Sequence, residues 1–176
     1  AGEISVNDSF IVEETMDNKM VLDFDLRKAI IAEGDTGYKF VSNSELSNSV
    51  RAVNANNAGT ISGTVSGDNS AKTVVYAYEK GSFNESDAQP NGSGVQFANA
   101  ISSSLVSGNN FGLHFMESGD YELHFASYSD TDNDGELEFK GLLSAASSTE
   151  LSLLDIQVGA NADVELNIII SGLLSL

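Results

Sequence analysis

Apolar and polar residues alternate in short runs along most of this chain, and the period is two rather than 3.6. In residues 20 to 26 (MVLDFDL), Leu22, Phe24 and Leu26 share one side of a pleat, while Asp23 and Asp25 share the other. Residues 8 to 16 (DSFIVEETM) read as a second strand, and Asp17-Asn18-Lys19 between them is turn chemistry, so the two runs predict a hairpin. Asp25 is placed to cap a short helix over residues 26 to 33 (LRKAIIAE), with Gly34 closing it. Two strands and one helix are too little to stand alone, so this segment must dock on the strands later in the chain or on an upstream portion.

From Gly59 the runs are separated by Gly, Asn, Asp and Ser. They cover 60 to 66, 72 to 79, 95 to 100, 110 to 116, 120 to 127, 136 to 139, 153 to 158 and 163 to 171. Short strands at this spacing, with no competing helical period, predict an antiparallel β-sandwich. The stretch 141 to 152 could hold a helical turn and is left open. Ser118-Gly119-Asp120 fits a bulged hairpin turn, which would set His114 opposite His124. In that phase Leu113, Phe115, Tyr121, Leu123 and Phe125 point inward and both histidines outward. The chain thus divides into residues 1 to 58, a hairpin plus helix, and residues 59 to 176, the sandwich.

Charge removes several function classes. Lys plus Arg number 8 against 26 Asp plus Glu, a net charge of −18. Binding to nucleic-acid phosphates or insertion at an anionic membrane face needs a cationic patch, so neither is expected. No run approaches the length of a membrane-spanning helix. Cys is absent, which excludes thiol catalysis, thiolate zinc sites and disulfides. The wealth of Asn, Ser, Gly and Asp, and the opening Ala1-Gly2-Glu3, read as a processed product from the bacterial cell surface, periplasm or extracellular space.

Gly59-Thr-Ile-Ser-Gly63-Thr-Val65, Val75-Tyr-Ala-Tyr78, Phe111-Gly-Leu113 and Gly119-Asp-Tyr121-Glu-Leu123 together resemble the carboxypeptidase-regulatory-like, prealbumin-like modules of secreted bacterial proteins. The resemblance covers residues 59 to 170 and implies a prealbumin-like or Ig-like sandwich. Phe10-Ile-Val-Glu-Glu14 and Val21-Leu-Asp-Phe-Asp-Leu-Arg-Lys28 resemble the last part of a bacterial domain of unknown function found in exported lipoproteins. That implies the tail of a larger domain. Neither resemblance assigns a ligand to particular positions, and such modules are usually not enzymes.

The sharpest chemical motif is Asp130-Thr-Asp132-Asn-Asp134-Gly135-Glu136-Leu-Glu138. Calcium takes hard oxygen ligands, and a turn with carboxylates at alternate positions can fold around it. Asp130, Asp132 and Asp134 would bind through side chains, Glu136 through its carbonyl, and Glu138 would complete the shell. An EF-hand is not expected, since its closing Glu falls here on Gly141 and strands flank the loop. The alternative is a solvated acidic turn. His114 and His124 lack a third His or a Cys for zinc and read as exposed. Asp23 and Asp25 read as solvent charges, one of them a cap. Tyr76 and Tyr78 share a strand face with Val74, to pack on a neighbouring layer or to present a platform. The polar stretch 81 to 94 reads as a linker or as a loop bearing a binding surface.

The resulting expectation is a non-enzymatic module of an exported surface protein or lipoprotein. Its role would be structural, adhesive or ligand-displaying, with calcium as a stabiliser and an unknown protein or glycan as partner. A carbohydrate-binding module is the alternative, marked by an exposed platform from Tyr76, Tyr78, Phe83 or Tyr128. A hydrolase, the third reading, would bury His114 or His124 in a cleft beside a carboxylate.

Overall fold

The computed structural model describes residues 4–6, 14, 17–34, 37–67, 71–90, 92, 94–149 and 151–174. The chain is all-β. From Gly59 the strands are β5 (Gly59–Gly67), β6 (Lys72–Glu79), β7 (Ser102–Leu105), β8 (Asn110–Met116), β9 (Gly119–Ser129), β10 (Glu138–Ser147), β11 (Ile156–Val158) and β12 (Asp163–Leu173). They form one sheet in the order β7-β6-β9-β10-β12-β5-β8, with β11 also paired to β9. All its pairs are antiparallel except β5 with β12. The sheet curls until its edges β7 and β8 meet, where the Gly112 amide donates to Ser104 Oγ at 3.3 Å. The sandwich-like core is therefore one near-closed sheet folded over on itself.

Alternation explains the inner core. Val75, Ala77, Leu123, Phe125, Leu113, Ile61, Leu166 and Ile168 all project into it. The parallel β5–β12 contact is tight. A side chain at Gly63 would meet the Leu166 carbonyl, so glycine is required there.

The 114–124 hairpin does not form. β8 pairs with β5, while β9 pairs with β6 and β10. His124 lies opposite Tyr76, not His114. A register shift in the β8–β5 ladder and the left-handed Phe115 (φ 55°) turn Phe115 outward, and Met116 takes the inward place. Leu113, Tyr121, Leu123 and Phe125 point inward as expected.

The opposite face of β6, β9 and β10 is also buried. Tyr76, Tyr78, Ala126 and Leu142 pack there under Phe97, Ala100 and Ala88. The cover is the connection from β6 to β7, which contains a 3-10 helix at Glu85–Ala88. Residues 95 to 100 are a turn rather than a strand. Phe97, at φ 51°, drops its ring onto Tyr76 with centroids 4.0 Å apart. A left-handed conformation costs a non-glycine residue about 1–2 kcal/mol, and complete burial of the Phe97 ring offsets it. Of the stretch read as a linker or binding loop, 81 to 94, Phe83 and Ala88 also pack in this second core.

In the N-terminal portion, β1 (Met20–Phe24) pairs with β4 (Val50–Asn54), and β2 (Ile30–Glu33) with β3 (Gly37–Phe40). The strand expected over 8 to 16 lies, apart from Glu14, outside the described residues. The helix ends early. α1 spans Leu26–Ala29, capped by the Asp25 side chain, and β-branched Ile30 and Ile31 continue as β2. α2 (Asn43–Ser47) carries a capping box between Ser42 and Glu45.

The two sides of β1 are reversed from expectation. Leu22 and Phe24 are about half exposed, and so is Leu26 just beyond. The aspartates instead form ion pairs, Asp23 to Arg51 and Asp25 to Arg27, both at 2.7 Å. Arg27 then reaches the connection that covers the sheet, and Arg51 reaches β8. Arg27 donates to the Gln96 and Phe97 carbonyls at 2.6 and 2.9 Å, and Arg51 to those of Phe115 and His114 at 2.9 and 3.1 Å. Lys28 Nζ donates to the Ala100 carbonyl at 2.6 Å. Hydrogen bonds from charged donors contribute roughly 1.5–3 kcal/mol each. Arg27→Ala is expected to lower the stability read from urea unfolding by about 3 kcal/mol, whereas Lys39→Ala, at an exposed ion pair, should change it by less than about 0.5 kcal/mol.

Candidate metal centre

β9 and β10 are adjacent and antiparallel, and their last pair before the connecting loop is Ser129 with Glu138. Glu138 therefore sits on the framework, while Asp130, Asp132 and Asp134 sit on the loop above it. One carboxylate oxygen from each of these four residues lies within 4.8 Å of all the others. The loop is shaped by bonds from its own backbone. The Gly135 amide donates to Asp130 Oδ2 at 3.1 Å, and the Glu136 amide to Asp134 Oδ1 at 2.8 Å. Asn133 and Gly135 both adopt positive φ, 63° and 92°, as a reversal this tight requires.

Glu138 is the most restrained member. Its Oε2 accepts from the Thr131 amide at 2.7 Å and from the Thr131 hydroxyl. The Thr131 hydroxyl and amide hold this carboxyl below the usual glutamate range. Four carboxylates around one space, with the oxygen chemistry of a hard cation, could hold a metal ion. Glu136, given a carbonyl ligand role from the sequence, contributes no carboxylate to the group. Thr131, which orients Glu138, was not singled out by the sequence motif. Gly141 stands at a register shift within β10 with φ 143°, and strands rather than helices flank the loop.

The other candidates separate. His114 is exposed on β8. His124 is largely covered. Phe83 stacks on its ring at 3.7 Å, Tyr78 meets it edge-on at 5.8 Å, and Glu122 Oε2 lies 3.7 Å from Nε2. At that separation Glu122 is a charged neighbour and not a hydrogen-bond acceptor. Its other oxygen accepts from the Phe83 amide at 2.8 Å. His124 Nε2 is buried without a hydrogen-bond partner. Burial pushes the His124 pKa below 6.5, against the pull of Glu122 in the other direction. Tyr76 and Tyr78 are fully buried and form no exposed platform, and Tyr128 is half-buried with its hydroxyl 2.8 Å from that of Tyr76. Asp23 and Asp25 are arginine partners rather than free solvent charges.

No family model, curated protein or solved structure matches this chain. No helix among the described residues is long and apolar enough to cross a membrane.

Two titrations check these environments. In chelator, the Glu138 carboxyl should titrate below 4.5 by NMR, and Thr131→Val should move it upward. His124 is neutral in its covered position, so the unfolded chain binds its proton more readily. Its contribution to stability is complete above pH 6.5 and declines as pH falls from there to the lower folded value. Denaturant midpoints between pH 7 and 5 should show that decline, and His124→Gln should flatten it.

Proposed function

We propose that this chain is a non-enzymatic module of an exported bacterial surface protein or lipoprotein. It holds loops on a rigid near-closed sheet for a structural, adhesive or ligand-displaying role, and calcium bound at the β9–β10 loop stiffens it. The observation that carries this reading is the convergence of Asp130, Asp132, Asp134 and Glu138. Asp130, Asp132 and Asp134 are the alternate carboxylates that the sequence offers to a hard cation. Glu138 gives them a framework anchor, and the Glu136 carbonyl is the further oxygen in the proposed shell. The all-β scaffold and the net charge of −18 support a passive displaying role. Self-repulsion of that size opposes non-specific association. The partner, a protein or a glycan, would be met by the loops and not by a cationic patch. The prealbumin-like resemblance from Gly59 onward belongs to the same proposal.

Thermal melting in millimolar calcium and in chelator tests the reading. A site filled to a hundredfold excess over its dissociation constant adds about 2.7 kcal/mol. Calcium should therefore raise the melting temperature, with magnesium doing less. Asp132→Asn together with Asp134→Asn should abolish the increment while leaving the chelator value nearly unchanged. Identical melting in calcium and chelator for the unaltered chain would overturn the calcium part of the proposal.

A further inference from the structure

Between the N-terminal portion and the outer face of the near-closed sheet lies a cleft of about 700 Å³. Its walls come from separate parts of the chain. Ile30 and Ile31 on β2 form one side, Val74 on β6 and Leu105 on β7 the other, and Leu137, just before β10, the rim. Leu105 and Leu137 are 51% and 48% exposed, although both face this shared space. Neither exposure serves either core. The polar end holds Arg27, Gln96 and the hydroxyl-paired Tyr76 and Tyr128.

We propose that this cleft binds a small anionic amphiphile, an apolar or aromatic body carrying one carboxylate or sulfonate. The volume falls in the range of small-molecule sites, which are mostly apolar with a few fixed polar groups. The head group is set by charge. Among the described residues, Arg27 is the only charged one lining the cleft, in a chain with 26 acidic residues. Its guanidinium is held by the Gln96 and Phe97 carbonyls and by Asp25, and it lies 5.1 Å from the Tyr76 ring centre. A cation fixed before binding loses little freedom when an anion arrives. Asp25, outside the cleft, is shared between Arg27 and Lys28, whose Nζ lies 3.8 Å from it, so it does not offset Arg27 alone. The apolar body would cover Leu105, Leu137 and Val74. The cleft shares Leu137 with the acidic loop, but none of the loop's carboxylates lines it, and binding is expected without calcium.

Fluorescence titration with anilinonaphthalene sulfonate tests the proposal on the full chain, in chelator. Saturable one-to-one binding is expected. Decanoate should displace the dye, and octyl glucoside, with an apolar tail but a neutral head, should not. Leu105→Asp and Leu137→Asp, both at exposed positions, should each weaken binding at least about tenfold. Leu154→Asp, an exposed leucine outside the cleft, should leave it within about twofold. Far-UV circular dichroism and the urea midpoint report whether each variant is folded, and either cleft variant suffices. Absence of saturable binding, or equal binding by the cleft and control variants, would overturn the site. Equal displacement by octyl glucoside would overturn the anionic head group.

Discussion

The structure depends on the burial of β6 and β9 on both faces. A strand in a two-layer fold normally needs one apolar face, and these two need two. Val75, Ala77, Leu123 and Phe125 fill the inner core. Tyr76, Tyr78 and Ala126 on the other side would lie open to water without the connection after β6. That connection is therefore a structural layer, fixed by the Phe97–Tyr76 stack and by the Phe83 amide on Glu122. In its turn the Phe97 carbonyl already accepts from the Ala100 amide, while those of Gln96 and Ala100 require donors from elsewhere. Arg27 and Lys28 provide them. The position of the N-terminal portion is thus set by the prior needs of the sheet's outer face.

Charge is distributed by the same logic. Both arginines and one of the few lysines are used where the N-terminal portion meets the sheet. Each arginine also has an aspartate close by, Asp23 directly across the strand pair from Arg51 and the helix-capping Asp25 two residues before Arg27, so its position is set before it reaches a carbonyl. Cations drawn into this junction are not available to neutralise the remaining acidic surface. The β9–β10 loop keeps its carboxylates together with backbone amides and Thr131.

The sequence showed most clearly those elements whose local alternation coincides with their burial. β6 and β8 occupy the residues read as strands, 72 to 79 and 110 to 116. The Asp25 cap and the carboxylates of the acidic loop were equally legible, since both depend on near neighbours. Three kinds of feature were not. β7 is Ser-Ser-Ser-Leu, with no apolar alternation, and exists because β6 offers it a ladder. Phe97 shares a strand-like run with Val95, but its backbone is left-handed, a tertiary demand that the run does not show. The pairing of β9 with β6 and β10 instead of β8 is a choice between distant partners, which local turn residues cannot specify. By contrast, the capping box at Ser42 and Glu45 was present in the spacing of those two residues and could have placed α2.

The location of the carboxylate group is also a consequence of the sheet. A loop of aspartates alone would separate under mutual repulsion, because like charges at short range each oppose the next. Here the two ends of the loop are closed by the Ser129–Glu138 pair, beside the region covered on both faces. Glu138 cannot retreat, since Thr131 holds it by two hydrogen bonds from within the same loop. The repulsion is thus retained in a fixed geometry rather than relaxed by spreading. A divalent cation among these oxygens would convert each repulsive pair into shared attraction, with little further ordering of the chain. Rigidity at the base and negative charge at the tip together distinguish this loop from the other polar turns of the molecule.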